Sequence, residues 1–125
     1  MRILLVDDDQ GMQECTASIL RSAGFEIEQE GNGDEALQHY LERGPCDLVL
    51  TDVRHPGMDG IELAVAIRRK NPMQPIALVS ASAVYLAPLP PALRDVPILV
   101  KPFRRQDLLE LVRSILKLLP AAFSR

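Results

Sequence analysis

The chain has 125 residues, enough for one domain that buries its own core without disulfide or metal staples. Hydrophobic residues make up 47% and charged residues 25%, an ordinary globular balance that excludes a disordered chain. A net charge of −3 argues against a nucleic-acid surface, and no apolar run is long enough for a membrane span or a secretory leader.

Residues 2–6 read as a first strand through the apolar run Ile3-Leu4-Leu5-Val6, which ends at Asp7, Asp8 and Asp9. A start at Met1, directly on this strand, is what a natural N-terminus would give. Residues 10–23 carry Met12, Cys15, Ile19 and Ala23 at helical spacing, with Asp9 as N-cap and Gly24 as C-terminal stop. Phe25-Glu26-Ile27-Glu28 alternates and predicts a half-exposed second strand. Asn32 followed by Glu35 signals the start of a helix carrying Ala36, Leu37, Tyr40 and Leu41, which Gly44-Pro45 stops.

Residues 47–51 form the third predicted strand, delivering Asp52 to a loop with a Pro56-Gly57 turn. Asp59 with Glu62 starts the next helix, which buries Ile61, Leu63, Ala64, Val65 and Ile67 and runs to about residue 70. The basic cluster Arg68-Arg69-Lys70 ends it, where cations complement the helix dipole, so a structural role suffices. Residues 75–79 and 97–100 are the fourth and fifth strands, running into Ser80 and Lys101-Pro102. Between them Pro88, Pro90 and Pro91 cannot lie inside a helix, so this connection is short or irregular, with room for one short turn after Pro91. The last helix, about 104–118, carries Leu108, Leu111, Val112, Ile115 and Leu119, and Pro120 ends it. One domain over 1–119 and a short tail over 120–125 result. Cys15, on the apolar face of the first helix, and Cys46, before the third strand, read as buried free thiols of a cytosolic protein, a single disulfide between them being compatible with the sequence.

Strands alternating with helices give an α/β domain, a parallel sheet with helices on both faces. The working site of such a sheet lies beyond the carboxyl ends of its strands. Asp7, Asp8, Asp52, Ser80 and Lys101 therefore converge on one rim. Each alone could be a helix cap or a surface residue, but adjacent carboxylates repel and gain nothing as second caps. Adding Asp52 worsens the repulsion, which a raised pKa or a bound cation relieves. Mg2+ suits such oxygen ligands and retains room for phosphate oxygens, while Lys101 offers a point charge.

The strings Leu5-Val6-Asp7-Asp8-Asp9, Leu48-Val49-Leu50-Thr51-Asp52, Pro56-Gly57-Met58-Asp59-Gly60, Val79-Ser80-Ala81 and Lys101-Pro102-Phe103 together resemble the receiver domain of bacterial two-component response regulators. The resemblance covers essentially the whole chain. It implies the flavodoxin-like, doubly wound sheet of five parallel strands in the order 2-1-3-4-5. It implies that Asp52 is the phosphoacceptor, attacking a phosphohistidine of a sensor histidine kinase or histidine phosphotransfer protein. Asp8, Asp52 and the backbone carbonyl of Arg54 would be direct Mg2+ ligands and Asp7 a ligand through water. Ser80 would be the switch hydroxyl and Lys101 the cation that meets the phosphoryl group. Such a domain is no conventional enzyme, though it assists its own phosphorylation and dephosphorylation.

Three positions and one segment depart from the family pattern. Ile98 stands where an aromatic switch is common, His55 where an apolar residue is usual, and Arg54 where dephosphorylation is tuned. The prolines replace the fourth helix, a face many relatives use for dimers, so a monomer is expected. A haloacid-dehalogenase-like phosphohydrolase would want an aspartate at position 54, and a complete DNA-binding regulator would want a helix-turn-helix after residue 119. The expectation is a cytoplasmic phosphoacceptor switch without direct nucleic-acid or membrane contact.

Overall fold

A computed structural model describes residues 1–54, 57–81 and 89–117. Five parallel strands form one sheet in the order β2-β1-β3-β4-β5. They are β1 (Arg2–Val6), β2 (Glu26–Glu30), β3 (Leu48–Asp52), β4 (Ile76–Ser80) and β5 (Ile98–Val100). Four α-helices lie among the described residues: α1 (Gln10–Ser22), α2 (Gly33–Arg43), α3 (Gly60–Lys70) and α4 (Arg105–Leu116). The expected order 2-1-3-4-5 is the observed one, and strand ends differ from expectation by one or two residues.

The central strands are apolar on both faces because both faces are covered. Ile3 and Leu5 of β1, with Leu48 and Leu50 of β3, pack against Ala17 and Leu20 of α1 and Leu108 and Val112 of α4. Leu4 and Val6, with Val49, face Ala36 and Tyr40 of α2 and Leu63, Ala64 and Ile67 of α3. The two-residue side-chain period of a strand thus feeds two separate cores, one on each side of the sheet. Edge strand β2 is half-exposed, as its alternation predicts.

The helix starts follow their cap residues. Asp9 Oδ1 accepts from Met12 N at 3.0 Å, Asn32 Oδ1 from Glu35 N at 2.9 Å, and Asp59 Oδ1 from Glu62 N at 2.9 Å. Glu62 answers Asp59 in a reciprocal capping box. Gly24 and Gly44 follow α1 and α2 at φ +97° and +80°, a conformation that favours glycine.

Two sequence expectations need correction. The fully buried residues of α1 are Gln13, Thr16, Ala17 and Leu20, while the expected Ile19 and Ala23 pack against the core only partly buried and Met12 is half-buried. Cys15 is exposed, not buried, and Cys46 is half-buried, both as free thiols. Leu41 of α2 also points outward, 51% exposed. Two polar residues, Gln13 and Thr16, occupy the buried stripe of α1, where apolarity could not mark them.

Between β4 and β5 the described residues hold a 3-10 turn, Pro91–Leu93, with Leu93 buried beneath α3. Pro90 starts this turn, matching the short turn expected after the prolines. Residues 82–88, including Pro88, lie outside the described residues, as do His55, Pro56, Leu119, Pro120 and the tail. No helix among the described residues is long and apolar enough to cross a membrane.

Candidate functional site

The parallel register delivers four strand ends to one rim. Val6, the last residue of β1, pairs with Thr51, so Asp7 and Asp52 emerge side by side. Asp52, the last residue of β3, pairs with Val79 beside Ser80, and Ser80 pairs with Val100 beside Lys101. Hydrogen bonds continue the ladder one step past each strand: Val53 N donates to Val79 O at 3.0 Å and Lys101 N to Ser80 O at 2.8 Å. The Lys101–Pro102 peptide is cis.

Of the five residues expected on the rim, Asp7, Asp8, Asp52 and Lys101 meet there, and Ser80 ends the strand beside them. Oxygens of Asp7, Asp8 and Asp52 all lie within 4.8 Å of one another. Asp7 is buried, Asp52 half-buried and Asp8 exposed, so the cluster grades from the sheet edge to solvent. Lys101 Nζ donates to Asp52 Oδ2 at 2.8 Å and stands 3.8 Å from Asp7 Oδ2. Ser80 is buried at the end of β4. Arg54 is exposed, two residues past Asp52.

Burial pushes the Asp7 carboxyl above its ordinary value, and the charges of Asp52 and Asp8 push the same way. The backbone N–H of Asp9, donating to Asp7 Oδ1 at 2.9 Å, and the Lys101 ammonium oppose that rise without cancelling it. Burial works against the charge on Lys101, but Asp52, then Asp7 and Asp9, outweigh it and hold the lysine above its ordinary value. Among the described residues the rim is therefore a cluster of carboxylates held against the Lys101 ammonium. Three clustered carboxylates repel one another, a strain that a divalent ion would relieve, and the all-oxygen donor set fits Mg2+.

Two supports of the rim escaped sequence reasoning. Gln13, buried on α1, donates from Nε2 to the carbonyls of Asp7 at 3.2 Å and Glu30 at 2.7 Å. Gly60 opens α3 directly against the backbone of Asp52 and Val53, where a Cβ would collide with Asp52 O and come within 2.9 Å of Val53 Cα. The Gly60 N–H donates to Val53 O at 2.8 Å. Gly60 stood in the sequence beside the Asp59 cap, a signal that a helix starts there. That the helix also packs on the carboxylate-bearing strand end is a long-range fact.

The model of the response regulator receiver domain family matches residues 3–113. The response regulator receiver protein CpdR of Brucella abortus is 39% identical over 122 residues, covering 97% of this chain and 98% of that protein. The DNA-binding response regulator MtrA of Mycobacterium tuberculosis is 36% identical over 120 residues, covering 93% of this chain, which spans only 50% of MtrA. The crystal structure of response regulator protein TrrA from Thermotoga maritima, in complex with Mg2+-BeF, superposes with a TM-score of 0.83 at 35% identity. That match covers 91% of this chain and 97% of TrrA.

Proposed function

The chain belongs to the response regulator receiver domain family, and from that premise we propose that Asp52 accepts a phosphoryl group from a phosphohistidine. The function of the family is phosphorylation-dependent signalling in two-component systems. The donor would be a sensor histidine kinase or a histidine phosphotransfer protein, met in the cytoplasm. An oxygen of Asp52 forms the new P–O bond while the P–N bond to the donor imidazole breaks, its electron pair remaining on nitrogen.

Asp8, Asp52 and the backbone carbonyl of Arg54 would hold Mg2+ directly, and Asp7 through water. The Mg2+-BeF complex of TrrA and the cluster of three carboxylates support that ion. When bound, Mg2+ supplies positive charge against the carboxylates and the phosphoryl oxygens. Lys101, fully charged at neutral pH, lies close enough to meet a phosphoryl oxygen once Asp52 is an acyl phosphate. Ser80, at the end of the next strand, is the hydroxyl within the rim that would turn toward that group. The domain thereby assists its own phosphorylation and dephosphorylation.

The observation that carries this reading is the 2.8 Å contact between Lys101 and Asp52 inside a three-carboxylate cluster. Incubation with acetyl phosphate and Mg2+, followed by intact-mass measurement, tests it. Wild type should gain one phosphoryl group and Asp52→Asn none. Undiminished labelling of Asp52→Asn would mean that the nucleophile lies elsewhere.

A further inference from the structure

We propose that Gln13 is a positioning residue for the acidic rim: its buried amide grips the peptide joining Asp7 to Asp8 and so sets the rim's affinity for Mg2+. The inference rests on the reading of Asp7, Asp8 and Asp52 as a Mg2+ site. Gln13 lies in the first turns of α1 and is only 8% exposed. Its Nε2 donates to the carbonyl oxygens of Asp7 at 3.2 Å and Glu30 at 2.7 Å. Asp7 N also donates to Glu30 O at 3.2 Å, so the ends of β1 and β2 are tied together at one point. Gln29 Nε2 donates to Gln13 Oε1 at 3.2 Å from the other side. Two acceptors on one side and a donor on the other fix which way the amide faces.

The carbonyl oxygen of Asp7 lies in the planar peptide that precedes Asp8. Holding that plane fixes ψ of Asp7 and φ of Asp8 together, and with them the directions of two of the three carboxylates. Asp7 is held a second time, at its side chain, by Asp9 N on Oδ1 at 2.9 Å. Asp8 is exposed, so its aim depends on the peptide that carries it. Outer-sphere groups that orient metal ligands commonly matter 10-fold or more in affinity, on the order of magnitude expected here.

Gln13→Met keeps the length of the side chain and removes the donor. Gln74→Met is the matching control at the opposite end of the sheet. Gln74 is buried, donating to Cys46 O and Pro75 O at 2.9 Å and accepting from Tyr40 Oη at 2.7 Å. Both variants lose a buried amide and should melt lower. Titration calorimetry with Mg2+, at a temperature where circular dichroism shows each protein folded, separates them. We expect a roughly 10-fold weaker Kd for Gln13→Met and a wild-type Kd for Gln74→Met. A wild-type Kd in Gln13→Met, or equal weakening in both, overturns the positioning role. Should Gln13→Met not fold, Gln29→Ala removes the partner of Gln13 Oε1 at a half-buried site; it should weaken Mg2+ in the same direction, and an unchanged Kd overturns the role. If wild type itself binds no Mg2+, the metal reading falls and this inference falls with it.

Discussion

Asp7 is a carboxylate that the fold buries at the end of β1. Burial raises its carboxyl above the ordinary value of 3.8, and Asp52 and Asp8 add to the rise. In the window between 3.8 and the raised folded value, the folded protein holds a proton that the unfolded chain has released. Stability from this group therefore falls as pH rises through that window, and the full cost persists above it. Below 3.8 both states are protonated and the contribution vanishes. Asn at this position still accepts from the Asp9 N–H but carries no charge. Without Mg2+, Asp7→Asn should melt a few degrees above wild type at neutral pH, and the gain should disappear in acid below the ordinary carboxylate value. With Mg2+ the order should narrow or invert, since wild type gains from the ion and the variant gains less. Thermal melts at two pH values, with and without Mg2+, decide it; a metal-free variant that melts below wild type at neutral pH contradicts the account.

At the level of elements, the close seating of α3 on the end of β3 makes a sharp demand on one residue. Gly60 begins α3 against the backbone of Asp52 and Val53, atoms that cannot rotate out of the way of a Cβ. Gly60→Ala should therefore destabilise by about 1–3 kcal/mol, the usual size of an overpacking cost. Because the strand end must move to make room, labelling by acetyl phosphate should also slow. Urea unfolding with an unchanged m-value, alongside the labelling rate, measures both; a variant as stable as wild type would show that the helix can lift without cost. The capping residues Asp9, Asn32 and Asp59 and the strands ending at Asp7, Asp52, Ser80 and Lys101 were legible in sequence, since a cap is a local event and a buried parallel strand is a continuous apolar run. The polar part of the inward face of α1 was not. Gln13 and Thr16 are buried there, Gln13 because its amide meets carbonyls of β1 and β2 that only the folded topology brings near. The same holds for Gln74, whose partners Tyr40 and Cys46 are far away in sequence. Hydropathy marks which residues leave water; it cannot mark which polar residue finds partners once it has left.

For the molecule as a whole, the question is what reads the phosphorylated state. Phosphorylation-driven dimers need one self-complementary patch shared by two copies. Among the described residues, the exposed large hydrophobics are Met1, Leu41, Met73 and Val100, on four separate parts of the fold. Pro91–Leu93 gives a 3-10 turn whose Leu93 is turned into the core beneath α3, spending its apolar side chain inside the molecule. Ile98 of β5 is likewise packed against the core on that face, an aliphatic side chain with no ring to swing between two positions. Arg68, largely buried, binds Asp95 at 2.7 Å and the carbonyl of Ala92 at 3.0 Å, which ties this turn back to α3. The described part of this connection, residues 89–97, is thus tied down and does not present a free apolar patch for a new interface. The protein should therefore remain a monomer at modest concentration with or without beryllofluoride, a phosphoryl mimic, and pass its signal to a partner protein. Sedimentation velocity in both states tests this, and a mimic-induced dimer whose contacts map to residues 89–105 would overturn it.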